Sequence, residues 1–326
     1  MIEILLKEWI EQVKYYIHLI ADYSIKESQV GAVLDDVLNL SGKMLRSKLL
    51  LLCAFLGSNW KNNKEKICKL AAMVELTHLA SLIHDDIVDD SPYRRGKVSV
   101  QGKYGKDAAV FAGDFLIARI FYYGAVENLN EAVSILSKTV EYMCIGEIEQ
   151  DLCRYQEDIS EKKYFENIER KTAALFQAAS YIGAKESGCS EKIIQKLELF
   201  VKNLGLMFQL KDDILDFTSN SKELGKETHK DFQNGIYTFP VIMALKNLKA
   251  KEVLLPIMRK NKEEKLSLAE ILQLQNYIIQ FGGIEASYEK IKYLSNINRQ
   301  LIKELGQNSK ITVYLEKILN DLEVEN

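Results

Sequence analysis

The stretch His84-Asp85-Asp86-Ile87-Val88-Asp89-Asp90 places four carboxylates within six residues and contains no lysine or arginine. A near copy, Asp212-Asp213-Ile214-Leu215-Asp216-Phe217, occurs later in the chain. Both follow apolar runs of helical character, Val74–Ile83 and Leu204–Leu210, so we expect both clusters to end helices that are largely buried. Buried carboxylates need a partner or a metal ion. We therefore expect the chain to fold around these two clusters.

Helical geometry determines where these carboxylates point. Residues four apart lie on one face, and an adjacent residue lies about 100° round the helix. In each cluster the first and third aspartates therefore stack, and the second flanks them. These aspartates are Asp85, Asp86 and Asp89 in the first cluster and Asp212, Asp213 and Asp216 in the second. One such cluster is more often a solvated helix end, but two copies favour Mg²⁺, which takes one or two carboxylates plus substrate phosphates.

Composition predicts an all-α protein. The chain has 326 residues, of which 47% are apolar, and only three prolines interrupt it. There is little alternation of apolar and polar residues, so long helices are favoured over strands. This length suits one large domain or two.

Charge, cysteines and apolar runs exclude several classes. A net charge of −3 gives no general attraction to nucleic acid or to an anionic membrane. Five scattered cysteines without a CxxC pair indicate neither a disulfide framework nor a zinc site. The N-terminus carries acids and no cleavage site of a signal peptide. The longest apolar run, Leu49–Gly57, is far below the roughly 18 residues of a membrane span. We expect a soluble, cytoplasmic protein without a transmembrane segment.

Basic residues accompany the first cluster. Lys43 and Arg46 lie three apart at the opening of an apolar helix and can point the same way. His78 precedes Asp85 by about two turns and shares its face, so this histidine is either a satisfied core residue or a ligand contact. The pair Arg94-Arg95 in the loop Tyr93–Lys97 either neutralises the cluster or grips phosphate oxygens.

Polar residues also accompany the second cluster. Lys171 and Thr172 lie in an otherwise apolar, Ala-rich helix over 161–184, where a lysine either snorkels or meets an anion. Gln209 precedes Asp212 by three residues. The polar segment Thr218–Thr238, which contains Gly225-Lys226, is interpreted as a loop or lid over this end.

Together these motifs carry a resemblance. Between about residue 40 and residue 245 the chain resembles the trans-isoprenyl (polyprenyl) diphosphate synthases of the medium- and long-chain type, in particular heptaprenyl diphosphate synthase catalytic subunits. The motifs are Gly42-Lys43-x-x-Arg46, His78-x6-Asp85-Asp86-x-x-Asp89-x4-Arg94-Arg95-Gly96, Gly113-Asp114, Lys171-Thr172, Gln209-x-x-Asp212-Asp213-x-x-Asp216 and Gly225-Lys226. The resemblance implies one all-α domain over 1–326, a bundle of ten or more helices around a deep central cavity, with the two clusters facing across its mouth.

The resemblance also implies a prenyltransferase that condenses isopentenyl diphosphate with an allylic diphosphate, head to tail (1′-4). Three Mg²⁺ ions would be held by Asp85, Asp86, Asp89 and Asp212, with Asp213 and Asp216 in support. Arg94, Lys171 and Lys226 would bind the allylic diphosphate, and Lys43, Arg46, His78 and Arg95 would bind isopentenyl diphosphate. Thr172 and Gln209 would shield the allylic carbocation.

The resemblance implies that product length depends on the side chains before the first cluster, which are Leu76, Thr77, Ala80 and Ser81. None is aromatic, whereas in this family a bulky ring at the position of Ala80 closes the tunnel early. We therefore expect a product of roughly six to eight isoprene units, such as a quinone tail precursor. A shorter product, farnesyl or geranylgeranyl diphosphate, is the alternative.

Three departures bear on substrate binding and partners. Met44 replaces one arginine of the usual basic segment, Ile236 replaces a lysine that many members carry, and the C-terminus is acidic. The resemblance implies a homodimer. The alternative is a heteromer with a small second component, in which this chain is a catalytic subunit that is inactive alone.

Other classes fit less well. A class I terpene cyclase would share the fold and the first cluster but would normally replace the second. A non-catalytic partner subunit would have lost acidic residues, whereas all six aspartates are present. A structural helical protein gives no reason for two matched acidic helix ends.

Overall fold

The computed structural model describes residues 2–22, 28–39, 42–94, 96–218, 230–306 and 310–323. The described residues are mainly helical, which confirms the all-α prediction. The helices are α1 (Ile2–Ile20), α2 (Gln29–Leu38), α3 (Leu45–Ala54), α4 (Lys64–Val88), α5 (Val100–Tyr104), α6 (Lys106–Val126), α7 (Asn130–Leu152), α8 (Glu161–Ile168), α9 (Ala174–Glu186), α10 (Glu191–Thr218), α11 (Lys230–Gln233), α12 (Phe239–Ala244), α13 (Leu248–Glu263), α14 (Leu268–Gln280), α15 (Gly283–Glu304) and α16 (Lys310–Glu323).

Two local features differ from the sequence predictions. The expected loop Tyr93–Lys97 forms an antiparallel hairpin, β1 (Tyr93–Arg94) with β2 (Lys97–Val98). The expected single helix over 161–184 contains a π-helical turn, Glu169–Ala173, between α8 and α9. A β-hairpin this short and a π-turn depend on tertiary contacts more than on local pattern, so neither shows in the periodicity.

Tertiary contacts group the chain into two compact units. Unit 1 comprises Met1–Glu141, Leu175–Leu199 and Asn308–Ile311, and unit 2 comprises Tyr142–Ala174, Phe200–Gln307 and Thr312–Asn326. The first acidic cluster belongs to unit 1 and the second to unit 2. The single domain and the facing of the two clusters stay predictions.

Helix α4 forms much of the core of unit 1. It is apolar on all sides, and its buried residues include Leu70, Val74 and Ile83. By length and composition, α4 and α6 could both cross a membrane, although charged residues interrupt the apolar sequence of each. In α4, 72% of the most apolar window is buried, as in a core helix, whereas in α6 only 39% is.

The end of α10 is anchored in the core of unit 2. Phe217, which directly follows the second cluster, packs with Phe232, Tyr237 and other buried residues of α11 to α14. The side-chain amide of Gln275 donates to the carbonyl oxygen of Phe217. These contacts fix the C-terminal end of α10 against the core of unit 2.

Candidate active site

The first cluster divides into buried and accessible carboxylates. Asp86 is buried, whereas Asp85 and Asp89 are half-buried. The helix ends here because Asp90 adopts a left-handed conformation (φ 46°) and Pro92 follows. Asp85 and Asp89 therefore lie one turn apart on the more accessible side of the helix end.

Arg94 pairs with the buried carboxylate. Its Nε donates to Asp86 Oδ1 at 2.8 Å, and both side chains are largely shielded from water. Gln101 Nε2 and the Ser91 amide both donate to the Asp86 carbonyl oxygen, at 2.5 and 2.8 Å. The sequence allowed two roles for the arginine pair, neutralising the cluster or gripping phosphate. The described contact of Arg94 is an ion pair with the cluster, and this ion pair is buried rather than at the surface. Arg95 lies outside the described residues.

Arg46 and His78 meet on the side of α4 that precedes the cluster. Arg46 Nη1 lies 2.9 Å from His78 Nε2, and the guanidinium stacks over the Phe176 ring at 4.6 Å. A neutral imidazole accepts this hydrogen bond from the guanidinium. Lys43 is exposed just before α3, and Met44 is buried in a left-handed conformation at its start.

In the second cluster the middle aspartate is again the buried one. Asp213 is 1% exposed, whereas Asp212 is exposed and Asp216 half-buried. Tyr164 Oη donates to Asp213 Oδ2 at 2.5 Å, and Gln209 Nε2 donates to Asp213 Oδ1 at 2.9 Å. Burial raises the pKa of the Asp213 carboxyl to about 7, although both hydrogen bonds lower it. Tyr164 is a site residue that sequence reasoning missed.

Lys171 and Thr172 occupy the π-helical turn. Lys171 Nζ donates to Glu147 Oε2 at 3.0 Å and to Gln150 Oε1 at 2.9 Å, so the lysine meets an anion, as one of the two sequence interpretations required. Thr172 Oγ1 donates to Gln209 Oε1 at 2.8 Å. Glu147 and Gln150 also escaped the sequence analysis, because no local pattern links α7 to this turn.

Two glycines let neighbouring helices approach the π-helical turn. A Cβ on Gly146 of α7 would lie 3.0 Å from the Lys171 amide nitrogen, and one on Gly205 of α10 would lie 2.8 Å from Ala173 Cα. Asn167 Nδ2 also donates to the Gly146 carbonyl oxygen at 2.7 Å. The turn is therefore held between α7 and α10 by close backbone contact.

The predicted lid is described only in part. Residues 219–229, which include Lys226, lie outside the described residues. The remainder is not all loop, since Lys230–Gln233 form α11. Gly235 follows with φ 76°, and a Cβ there would lie within 2.7 Å of the Tyr155 ring. Ile236 is described and supplies no charge where many family members have a lysine.

The accessible carboxylates fit Mg²⁺ by their chemistry. Within the described ranges, no three His, Cys, Asp or Glu side chains already form a metal site. Mg²⁺ does not require one, because it keeps several waters and takes one or two carboxylates together with substrate phosphates. Asp85 with Asp89, and Asp212 with Asp216, each offer such a pair of hard oxygen donors on one helix face.

The raised pKa of Asp213 leads to a prediction about stability. The native carboxyl keeps its proton up to about pH 7, whereas in the unfolded chain it ionises near pH 4. The free energy of unfolding therefore falls as the pH rises through this window. We expect Asp213→Asn to raise the melting temperature of the metal-free protein at pH 8 more than at pH 5.

The control is Asp212→Asn, one residue away on the same helix and exposed. Thermal unfolding in a chelator at both pH values compares the two variants. An equal gain from both substitutions at pH 8 would contradict the assignment of the effect to burial of Asp213.

Comparison with known proteins supports the motif interpretation. The family description "Polyprenyl synthetase" matches residues 27–275. Heptaprenyl diphosphate synthase component 2 of Geobacillus stearothermophilus is 34% identical over 265 residues, which is 80% of each chain.

Solved structures agree over almost the whole chain. A polyprenyl synthase from Caulobacter crescentus CB15, complexed with calcium and isoprenyl diphosphate, superposes with a TM-score of 0.88 at 28% identity and covers 99% of this chain and 96% of its own. Heptaprenyl diphosphate synthase from Staphylococcus aureus gives a TM-score of 0.86 at 25% identity and covers 98% of each chain. Together with the two acidic helix ends, these similarities show that the chain belongs to the polyprenyl synthetase family and is a prenyltransferase.

Proposed function

We propose that the chain condenses isopentenyl diphosphate with an allylic diphosphate, head to tail, and repeats the step to a product of roughly six to eight isoprene units. The observation that carries this proposal is the pair of acidic helix ends, each with two accessible aspartates and an adjoining cation or hydroxyl network. The medium length is supported by the buried, non-aromatic Leu76, Thr77 and Ala80 before the first cluster.

The metal ligands follow from accessibility. Asp85, Asp89, Asp212 and Asp216 would hold Mg²⁺, three ions by the family resemblance, with the buried Asp86 and Asp213 in support. Bound Mg²⁺ supplies Lewis-acid stabilisation of the departing diphosphate. Because Asp86 already has Arg94 as a partner, its part is to shape the helix end.

Cationic side chains bind the two diphosphates. Lys171 would exchange Glu147 and Gln150 for oxygens of the allylic diphosphate, since a compact ammonium moves readily between acceptors. Arg46 and His78, with Lys43, would bind isopentenyl diphosphate, and the fork of Arg46 can grip two phosphate oxygens at once. Lys226 and Arg95 are assigned by resemblance.

The remaining residues act on the carbocation. When the C1–O bond of the allylic diphosphate breaks, positive charge develops on the allyl group. The oxygens of Thr172 and Gln209 would face it as fixed dipoles. The alkene of isopentenyl diphosphate attacks C1, the new C–C bond forms, and a proton leaves to the departing diphosphate. Apolar walls exclude the water that would quench the cation.

The surface of α6 supports an interaction with another protein chain. Phe111, Tyr122 and Val126 are 71%, 61% and 59% exposed along this apolar helix. Exposed apolar surface of this kind marks an interface. We propose that a second copy of the chain covers it in a homodimer. The alternative is that a small second component covers this surface. The name "component 2" of the Geobacillus relative is the observation that supports this alternative.

A cytoplasmic location is part of the proposal. The cysteines within the described ranges are all free thiols, as expected in a reducing compartment.

Incubation of the purified chain with Mg²⁺, farnesyl diphosphate and labelled isopentenyl diphosphate tests the function. We expect extracted lipids that end at one length near six to eight units. Sedimentation of the wild type and of Phe111→Glu tests the interface, and we expect the variant to be monomeric. No labelled product despite Mg²⁺-dependent diphosphate binding would favour the two-component alternative. No diphosphate binding at all would contradict the proposed function.

A further inference from the structure

Four polar side chains form a continuous line of hydrogen bonds inside unit 2. Tyr164 Oη donates to Asp213 Oδ2 at 2.5 Å, and Gln209 Nε2 donates to Asp213 Oδ1 at 2.9 Å. Thr172 Oγ1 donates in turn to Gln209 Oε1 at 2.8 Å. Tyr164, Asp213 and Thr172 are buried, so water competes little for these bonds. We call this line the Tyr164 relay.

The relay fixes the direction of each hydrogen. Asp213 Oδ1 is an acceptor both in the ionised carboxylate and in a carboxyl that carries its proton on Oδ2, so the amide nitrogen of Gln209 faces it. The amide oxygen of Gln209 is then the end that faces Thr172, and it takes the single hydroxyl hydrogen of that threonine. The lone pairs of Thr172 Oγ1 are consequently the part of the hydroxyl left to face the substrate.

The Thr172 hydroxyl donates in a different direction from several other hydroxyls in the helices of this protein. Five other helical hydroxyls donate to the carbonyl oxygen four residues earlier, as is common for Ser and Thr in helices. They belong to Thr77, Ser137, Thr139, Thr218 and Ser287. Thr172 instead donates from the π-helical turn to Gln209 on α10. The position of the Gln209 amide oxygen therefore determines where the hydroxyl hydrogen of Thr172 points.

Tyr164 is a fixed starting point for the relay. Its ring packs against Phe165 and Phe239, with centroids 5.2 and 5.4 Å apart, and is buried. A ring held on two sides places its hydroxyl in one position. Asp213 receives a donor on each oxygen, so its carboxylate plane is held as well.

We propose that Tyr164 is a positioning residue, which acts through Asp213 and Gln209 to turn the lone pairs of Thr172 towards the allylic cation. This inference rests on the proposed function and extends it to a residue that touches neither substrate. An oxygen lone pair stabilises a neighbouring positive charge, whereas a hydroxyl hydrogen pointed at it would oppose its formation. A dipole fixed before the reaction needs no reorganisation when the cation forms.

Tyr164→Phe tests the proposal, because it keeps the ring and removes the hydroxyl. We expect kcat to fall about tenfold, the rate equivalent of roughly one hydrogen bond. The KM values and the Mg²⁺ concentration at half activity should stay unchanged, since phosphate and metal contacts are intact. In a Thr172→Val background, the same change should lower kcat no further. Multiplicative losses in kcat would overturn the proposal.

Tyr237→Phe is the matched control. Tyr237 is also buried in unit 2, and its hydroxyl donates to the Met258 carbonyl oxygen at 3.4 Å, outside the relay. We expect its kcat to equal that of the wild type. An equal loss from both tyrosine changes would mean that removal of any buried hydroxyl slows the enzyme, and would overturn the proposal.

Unfolding in urea without metal provides a readout that does not depend on activity. Tyr164→Phe and Gln209→Ala should change the free energy of unfolding non-additively, because both belong to one hydrogen-bonded line. Additive changes in the free energy of unfolding would overturn the relay even if the enzyme is active. A wild-type chain that binds no diphosphate would overturn the proposed function itself, and with it the role of Thr172.

Discussion

Replacing Asp85 or Asp212 with alanine lowers the rate of polyprenyl synthesis about a thousandfold or more. Each is an accessible aspartate of an acidic helix end, and each lies four residues before a second accessible carboxylate, Asp89 or Asp216. Removing one oxygen donor of a pair weakens the hold on Mg²⁺ at the moment when the diphosphate leaves. Initial rates with labelled isopentenyl diphosphate measure the loss.

Asp90→Ala is the matched control in the same acidic stretch. The Asp90 side chain is 80% exposed and pairs with Lys106 at 2.8 Å, and its backbone is left-handed, beyond the end of α4. We expect the rate to remain within about twofold of the wild type, since a surface ion pair contributes little. A rate unaffected by Asp85→Ala or by Asp212→Ala would contradict the metal assignment, and so would an equal loss in Asp90→Ala.

Periodicity predicted which aspartates share a helix face, but not which of them are buried. A helical repeat stacks Asp85 on Asp89 and sets Asp86 to the side, and the structure buries that middle residue in both clusters. The all-α fold follows from the same repeat and from the scarcity of proline. These features are local, so one sequence is sufficient to predict them.

The partners of the site residues could not be predicted in this way. Tyr164 precedes Asp213 by 49 residues, and Glu147 precedes Lys171 by 24. No spacing rule links positions so far apart. The sequence showed that Lys171 needs an anion if it is buried, but only the packing of α7 against the π-helical turn identifies Glu147 as that anion.

The π-helical turn itself depends on tertiary contacts. Residues 169–173 continue a helical pattern in the sequence, yet the structure inserts a wider turn there. Gly146 and Gly205 bring the backbones of α7 and α10 against it. Such turns often mark functional sites, and this one carries Lys171 and Thr172.

Replacing Ala80 with phenylalanine shortens the product by several isoprene units and leaves the first condensation intact. Ala80 lies five residues before Asp85 on α4 and is 0% exposed, with buried Thr77 and Leu76 on the preceding turn. By the family resemblance, a ring at this position would close the tunnel into which the growing chain extends. Chromatography of the labelled lipids would then show geranylgeranyl length, one unit longer than the farnesyl primer, in place of the longer products.

The control must separate this steric block from general overpacking, which costs about 1–3 kcal/mol in a filled core. Ala71 lies nine residues before Ala80, half a turn round the same helix, and is also 0% exposed. Ala71→Phe should therefore reduce the amount of folded enzyme without changing product length, because length depends only on the molecules that fold. Unchanged length in Ala80→Phe would mean that the chain grows along another path, and equal shortening in both variants would mean that α4 moves as a whole.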